Sequence, residues 1–140
     1  MEIDGQEVNI EEYENLIVMN IDQWGGGVTD LWKKERNGGN WKDNSYGDGL
    51  IEVIGLTDVL HMGQVQVGMD EPFQVGQGRV LTLKSKIENT ILPVQIDGEP
   101  IDIIAPFQIT IQRKDQINIL ATVPTEQGKI VNFLHRAIAE

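Results

Sequence analysis

Gln95-Ile96-Asp97-Gly98-Glu99-Pro100 sets two carboxylates two residues apart, one on either side of a glycine. Paired carboxylates of this kind can serve general acid–base work. The same residues also suit a tight turn. The flanks 92–96 and 101–104 are strand-like, and Asp-Gly between strands is a strong hairpin signal. From these six residues alone a plain turn is the commoner meaning, since Asp-Gly turns are frequent and catalytic acids are rare.

Other candidate chemistry is sparser. Gly47-Asp48-Gly49 invites comparison with a calcium loop beginning at Asp43, but its fifth position would be Gly47 and its twelfth Ile54, where a bidentate glutamate is required. Asp48 is then either the turn residue that opens the strand after it or one ligand of a hard-cation site built from carboxylate and backbone oxygens. His61 and His135 are lone imidazoles and read as structural or surface residues. No Gly-x-Ser-x-Gly nucleophile motif occurs, and no phosphate-binding loop or dinucleotide fingerprint is present. The irregular stretch 22–49 carries Gly25-Gly26-Gly27, Gly38-Gly39, Lys33-Lys34 and the tryptophans Trp24, Trp32 and Trp41. A loop of that length is usually functional or disordered. Triple glycine lets backbone approach a ligand closely, and it is also how flexible connectors look.

The elements that must position these residues follow a period of two. Val65, Val67 and Met69 alternate with Gln64, Gln66 and Gly68, and Phe107, Ile109 and Ile111 alternate with Gln108, Thr110 and Gln112. Leu81, Leu83 and Ile87 share one face of 79–87 while Thr82, Lys84 and Lys86 share the other, and Ile117 and Ile119 alternate with Gln116 and Asn118. One buried and one wet face is the habit of antiparallel sheets. The apolar run 16–21 predicts a central strand, and 49–56 predicts another. With fifteen glycines to turn the chain, the pattern predicts an all-β antiparallel sandwich. The tail departs from it: Thr125 could cap a helix with Glu126 in its first turn, and Ile130, Leu134 and Ile138 recur every four residues, so a short C-terminal helix is expected.

At 140 residues the chain suits one domain, 1–140, with a real core. Its formal charge of −11 argues against nucleic-acid binding and against unaided docking on anionic lipid. No apolar run is long enough for a transmembrane helix, and no secretory signal pattern opens the chain. With no cysteine, disulfides and thiolate-bound zinc are excluded, and a reducing compartment is expected.

An ordered set of blocks carries a resemblance. Asn20-Ile21-Asp22-Gln23-Trp24-Gly25-Gly26-Gly27 with Leu31-Trp32, then Asp48-Gly49-Leu50-Ile51-Glu52-Val53-Ile54-Gly55-Leu56, His61-Met62-Gly63-Gln64-Val65-Gln66-Val67, Gln77-Gly78-Arg79 and the hexapeptide at 95–100 resemble, in this order, the accessory half of the catalytic region of eukaryotic diacylglycerol kinases. The similarity spans about 8–123. Asp22 stands where the family usually has proline, and Ile101 where an aromatic usually follows the turn.

The resemblance implies a β-sandwich that packs against an ATP-binding α/β half, whose Gly-Gly-Asp-Gly loop enters a helix. Gly47-Asp48-Gly49 follows Tyr46 and runs into a strand, so it is not that loop, and the ATP-binding half is expected as a separate part of the same polypeptide. The implied reaction is phosphoryl transfer from ATP to diacylglycerol, giving phosphatidic acid, with Mg2+ accompanying the nucleotide. Asp97 is then the implied base, Glu99 an orienting group, Gly98 the residue that permits the turn, and Gly25, Gly26 and Gly27 a loop near the site. Bacterial lipid kinases of the superfamily imply a structural magnesium on Asp48, the Leu50 carbonyl and Ser45. A cytoplasmic enzyme peripheral to the membrane is expected, with the isolated chain inactive and prone to dimerise through the uncovered interface. The rival expectations are a non-catalytic β-sandwich binding module, whose tryptophan-rich loop contacts a ligand, and a related sphingoid-base kinase.

Overall fold

The computed structural model describes residues 1–21, 23–25, 27–29, 31–32, 41–118, 120–124 and 130–134. Asp22, Gly26, Lys33, Lys34, Gly38, Gly39, Ile119, Thr125, Glu126, His135 and Ile138 lie outside the described residues. In chain order the strands are β1 (Glu2–Ile3), β2 (Gln6–Glu7), β3 (Asn15–Met19), β4 (Gln23–Trp24), β5 (Val28–Thr29) and β6 (Ile51–Leu56). The helix α1 (Val59–Gln66) follows, then β7 (Phe73–Gly78), β8 (Val80–Ser85), β9 (Ile91–Ile96), β10 (Glu99–Ile104), β11 (Phe107–Gln112), β12 (Leu120–Pro124) and β13 (Ile130–Leu134). Every pairing among them is antiparallel. Among the described residues the architecture is all-β with one short helix.

A three-stranded sheet in the order β3-β6-β7 organises the interior. β6 is central and buried on both faces, as its sequence Ile-Glu-Val-Ile-Gly-Leu allows. Val53 faces one side, against Ile3 and Leu81 of the four-stranded sheet β11-β8-β1-β2. Ile54 and Leu56 face the other, where Met19, Leu31, Trp32 and Val65 of α1 complete a second cluster. The two larger sheets approach closely because β7 offers glycines: the Ile3 side chain lies directly over Gly76 and Gly78, where no Cβ stands in its way. The run 16–21 does form a strand, Asn15–Met19, but at the edge of this sheet. β6 takes the central place because it alone is paired on both sides.

Period two holds for β8 and β11, where Leu81 is buried and Phe107 and Ile109 are half-buried between exposed neighbours. It fails at 64–69. There Asp58 caps a helix, its Oδ1 accepting from the His61 N–H at 2.8 Å, and α1 runs to Gln66. The Gly68 N–H bonds the Val65 carbonyl at 3.1 Å and closes the turn. Val65 points into the core, while Val67 and Met69 are exposed, so their alternation has no sheet to serve. Ile117 is likewise exposed and outside any strand.

The expected tail helix is not formed at 130–134. Ile130–Leu134 is a strand paired with Leu120–Pro124, in the register Val123↔Val131 and Leu120↔Leu134. Both segments are rich in β-branched and large apolar residues, and a hairpin uses that preference where a spacing of four uses only some of it.

Candidate active site

The hairpin expected at 95–100 is present. β9 pairs with β10 from Ile91↔Ile104 to Ile96↔Glu99, which leaves Asp97 and Gly98 as a two-residue loop. Asp97 has φ 48° and Gly98 φ 95°, both left-handed, the signature of the hairpin turn whose twist matches its strands. Aspartate tolerates that conformation and glycine accepts it without strain. Asp97 and Glu99 are exposed, and neither side-chain carboxylate makes a hydrogen bond or ion pair among the described residues.

The hairpin continues the β8–β11 pair. β8 leads out into β9 and β10 leads back into β11, with the Ala105 N–H bonding the Thr90 carbonyl at 2.9 Å across the junction. The register puts Leu92, Val94, Ile96, Ile101 and Ile103 on one face with Glu99, while Pro93, Gln95, Pro100 and Asp102 fall on the other. Ile96 is 56% exposed and Ile101 44%. The carboxylates thus stand at the end of a protruding ribbon whose aliphatic face lies open.

Of the triple glycine, Gly25 and Gly27 are described. Gly25 and Gly27 turn the β4–β5 hairpin, and the described neighbour of Gly25 is Gln66 at the end of α1. Together with Val28, Thr29, Val65, Val67 and Gly68 they line a shallow cavity of about 470 Å³. The tryptophans of this region are core residues. Trp32 is buried, its ring centroid is 5.1 Å from that of Trp41, and its indole N–H donates to the Lys42 carbonyl at 2.9 Å. Trp24 and Trp41 pack on the same cluster.

Asp48 is held as a turn residue, its Oδ1 accepting from the Leu50 N–H at 2.9 Å, and Ser45 is exposed. Between Asp48 and Leu50, the guanidiniums of Arg113 and Arg79 reach to 3.2 Å and 3.4 Å of the point where a Cβ on Gly49 would lie. Two cations pressed on this loop oppose a divalent cation, so these residues do not fit the magnesium expected on Asp48, the Leu50 carbonyl and Ser45. Among the described residues no group of three His, Cys, Asp or Glu side chains comes together in metal-binding geometry.

His61 is structural. It is buried, its Nδ1 accepts from the Thr57 N–H at 3.2 Å, its Nε2 lies 3.0 Å from the Glu71 carbonyl, and its ring meets Phe73 edge-on at 5.4 Å.

One functional-looking group escaped the sequence reading. Glu52, on β6, is fully buried and accepts from the Asn44 amide at 2.7 Å and the Gln77 amide at 2.9 Å. Gln77 in turn holds the Lys42 backbone through its N–H at 3.0 Å and its carbonyl at 3.2 Å. Desolvation, with the charge of Asp48 nearby, raises the Glu52 pKa, and the bonds from Gln77 and Asn44 pull against that rise. A lone acid between Ile51 and Val53 was the visible signal. The network it makes pins 42–44 to the central strand.

A family model described as the diacylglycerol kinase accessory domain matches residues 1–100, which end on the Asp97 turn and the proline after it. Diacylglycerol kinase theta of Mus musculus is 42% identical over 103 residues, covering 71% of this chain and 10% of that protein. Diacylglycerol kinase 2 of Arabidopsis thaliana is 35% identical over 102 residues (71% of this chain, 14% of that protein), and diacylglycerol kinase 1 of the same plant is 33% identical over 128 (90% and 17%). The chain therefore spans less than a fifth of the length of these relatives. No solved structure matches it. The chain belongs to the diacylglycerol kinase accessory domain family.

Proposed function

We propose that this chain is one half of the catalytic region of a diacylglycerol kinase, and that its ribbon tip supplies the acid–base group of phosphoryl transfer. The observation that carries this reading is an intact Asp-Gly-Glu turn, in left-handed hairpin geometry, inside the segment matched by the family. In the proposed step the acceptor hydroxyl oxygen bonds to the γ-phosphorus of ATP while the bond from that phosphorus to the β-bridging oxygen breaks. ADP leaves with the electron pair, and the hydroxyl proton passes to Asp97. Glu99, next to the turn on the aliphatic face, orients the hydroxyl. Mg2+ travelling with ATP neutralises phosphate charge.

Two features support a companion lobe over the ribbon. A two-stranded hairpin is marginal on its own in water, and this one leaves Ile96 and Ile101 open beside the carboxylates. We read that face as the surface on which the ATP-binding half of the polypeptide closes, at a membrane that presents diacylglycerol, on the cytoplasmic side. In its absence the same face would pair two copies of the chain. We likewise read the two larger sheets as the layers of a sandwich, supported by the shared cluster of Ile3, Val53 and Leu81. A ligand-binding module reading loses its main support, because Trp32 is buried and Trp24 and Trp41 are packed on the core.

Asp97→Asn, placed in a diacylglycerol kinase polypeptide that contains this chain, is expected to abolish phosphatidic acid formation with little change in melting temperature. Activity above about a tenth of wild type would remove Asp97 as the base, since loss of a general base costs roughly a hundredfold or more. The 140-residue chain alone should show no turnover on diacylglycerol micelles with labelled ATP.

A further inference from the structure

We propose that Arg79 and Arg113, converging on Gly49, form a binding site for a phosphate-bearing anion, apart from the Asp97 turn. The site stands without the kinase reading. Val80 and Gln112 are opposite each other where β8 and β11 begin and end their pairing, so Arg79 and Arg113 are the next residues outward on the two strands. Both guanidiniums bend onto the same backbone. Each Nη1 is in contact range of the vacant side-chain position of Gly49, whose φ of 72° also favours glycine. Gln116 extends the cluster: its Oε1 accepts from Arg113 Nη2 at 2.7 Å, and its Nε2 lies 3.7 Å from the side-chain position of Gly47. The loop therefore gathers two planar forks of N–H donors and an amide.

What calls for an anion is the absence of a carboxylate. The chain has twice as many acids as bases, and Lys84 finds Glu2 at 3.1 Å. Neither arginine is within ion-pair distance of an acid among the described residues. The acids nearest in sequence bond backbone: Asp4 accepts from the Arg79 and Val80 N–H groups, and Asp48 Oδ1 from that of Leu50. Two like charges held together repel, and a doubly charged tetrahedral oxyanion relieves that repulsion by accepting from both forks. A single carboxylate would be satisfied by one. The class of ligand is thus a phosphomonoester or phosphate, carried either on a lipid headgroup or on a soluble molecule. The site lies at the base of the β8–β11 ribbon, and the Asp97 turn lies at its far end.

The test uses the whole 140-residue chain, with the side-chain Nε–H signals of Arg79 and Arg113 followed by NMR during titration with inorganic phosphate at constant ionic strength. Saturable shifts of both signals are expected, with affinity weakened by about tenfold in Arg79→Ala and in Arg113→Ala. Lys84→Ala, which removes the same charge elsewhere, should bind as wild type. Backbone amide spectra confirm that each variant is folded. Shifts that do not saturate, an equal response to acetate, or an equal loss in Lys84→Ala would overturn the site. Co-sedimentation with phosphatidylcholine vesicles only when they contain phosphatidic acid, lost in Arg113→Ala, assigns the headgroup source. Binding of phosphate or ATP without such co-sedimentation assigns a soluble source. Saturable Mg2+ binding that is lost in Asp48→Asn would also overturn the proposal, because the loop would then hold a cation.

Discussion

Glu52 is a buried carboxyl on β6, the strand covered on both faces, and its pH dependence can be predicted in sign. Burial raises its pKa above the ordinary 4.5, so the folded chain holds this proton more tightly than the unfolded chain. Its contribution is greatest below the unfolded value and is lost as pH rises through the raised folded value. Melting temperature should therefore carry a downward component on going from about pH 4.5 upward, and Glu52→Gln should remove it. The amide can keep the bond from Gln77 while Asn44 turns its carbonyl toward the new N–H. A Glu52→Gln variant with the wild-type slope would assign that slope to another group. Asp58 behaves oppositely. The His61 N–H bond lowers its pKa below 3.8, so what it adds is present at neutral pH and is lost as pH falls through its lowered value.

At the scale of elements, α1 and β7 depend on features that periodicity does not show. α1 exists where an alternating pattern predicts a strand because Asp58 satisfies the free His61 N–H of its first turn and Val65 gains a core position. Asp58→Ala should lower melting temperature at neutral pH and lose less against wild type in acid, whereas Asp58→Ser, which keeps a cap acceptor, should recover most of the loss. Circular dichroism melts across pH would show a constant gap if the cap plays no part. β7 depends on bareness. Gly78→Ala puts a methyl into the Ile3 side chain and against the Asp4 carboxylate, and should cost about 1–3 kcal/mol by urea denaturation. Trimming Ile3 to Val in the same chain should return part of that loss, since the two changes share one contact.

For the whole molecule, order is expected to fall from the centre outward. β6 is covered on both faces, whereas the β9–β10 ribbon has described pairing only along its own length and at its junction. Amides of 51–56 should be the slowest to exchange with deuterium, and those of 91–96 and 99–104 should exchange far sooner in the isolated chain. Docking of a companion lobe would slow the ribbon and leave β6 unchanged. Ribbon amides already as slow as those of β6 would show that the hairpin needs no partner.

Local chemistry was legible in the residues because it is set by near neighbours. Asp97-Gly98 between aliphatic runs determines a two-residue turn whatever surrounds it, and alternation determines β8 and β11. The blocks from Asn20 to Pro100 also place the chain in its family by sequence alone. Only the tertiary structure decided what lies far apart in sequence: that Trp32 belongs to the core, that Glu52 is buried with Gln77 and Asn44, that Ile3 crosses Gly78, and that two arginines on different strands meet at Gly49. Those outcomes depend on which faces the sheets bring together. Burial and charge act through space, so the pattern along the chain carries them only once it has folded.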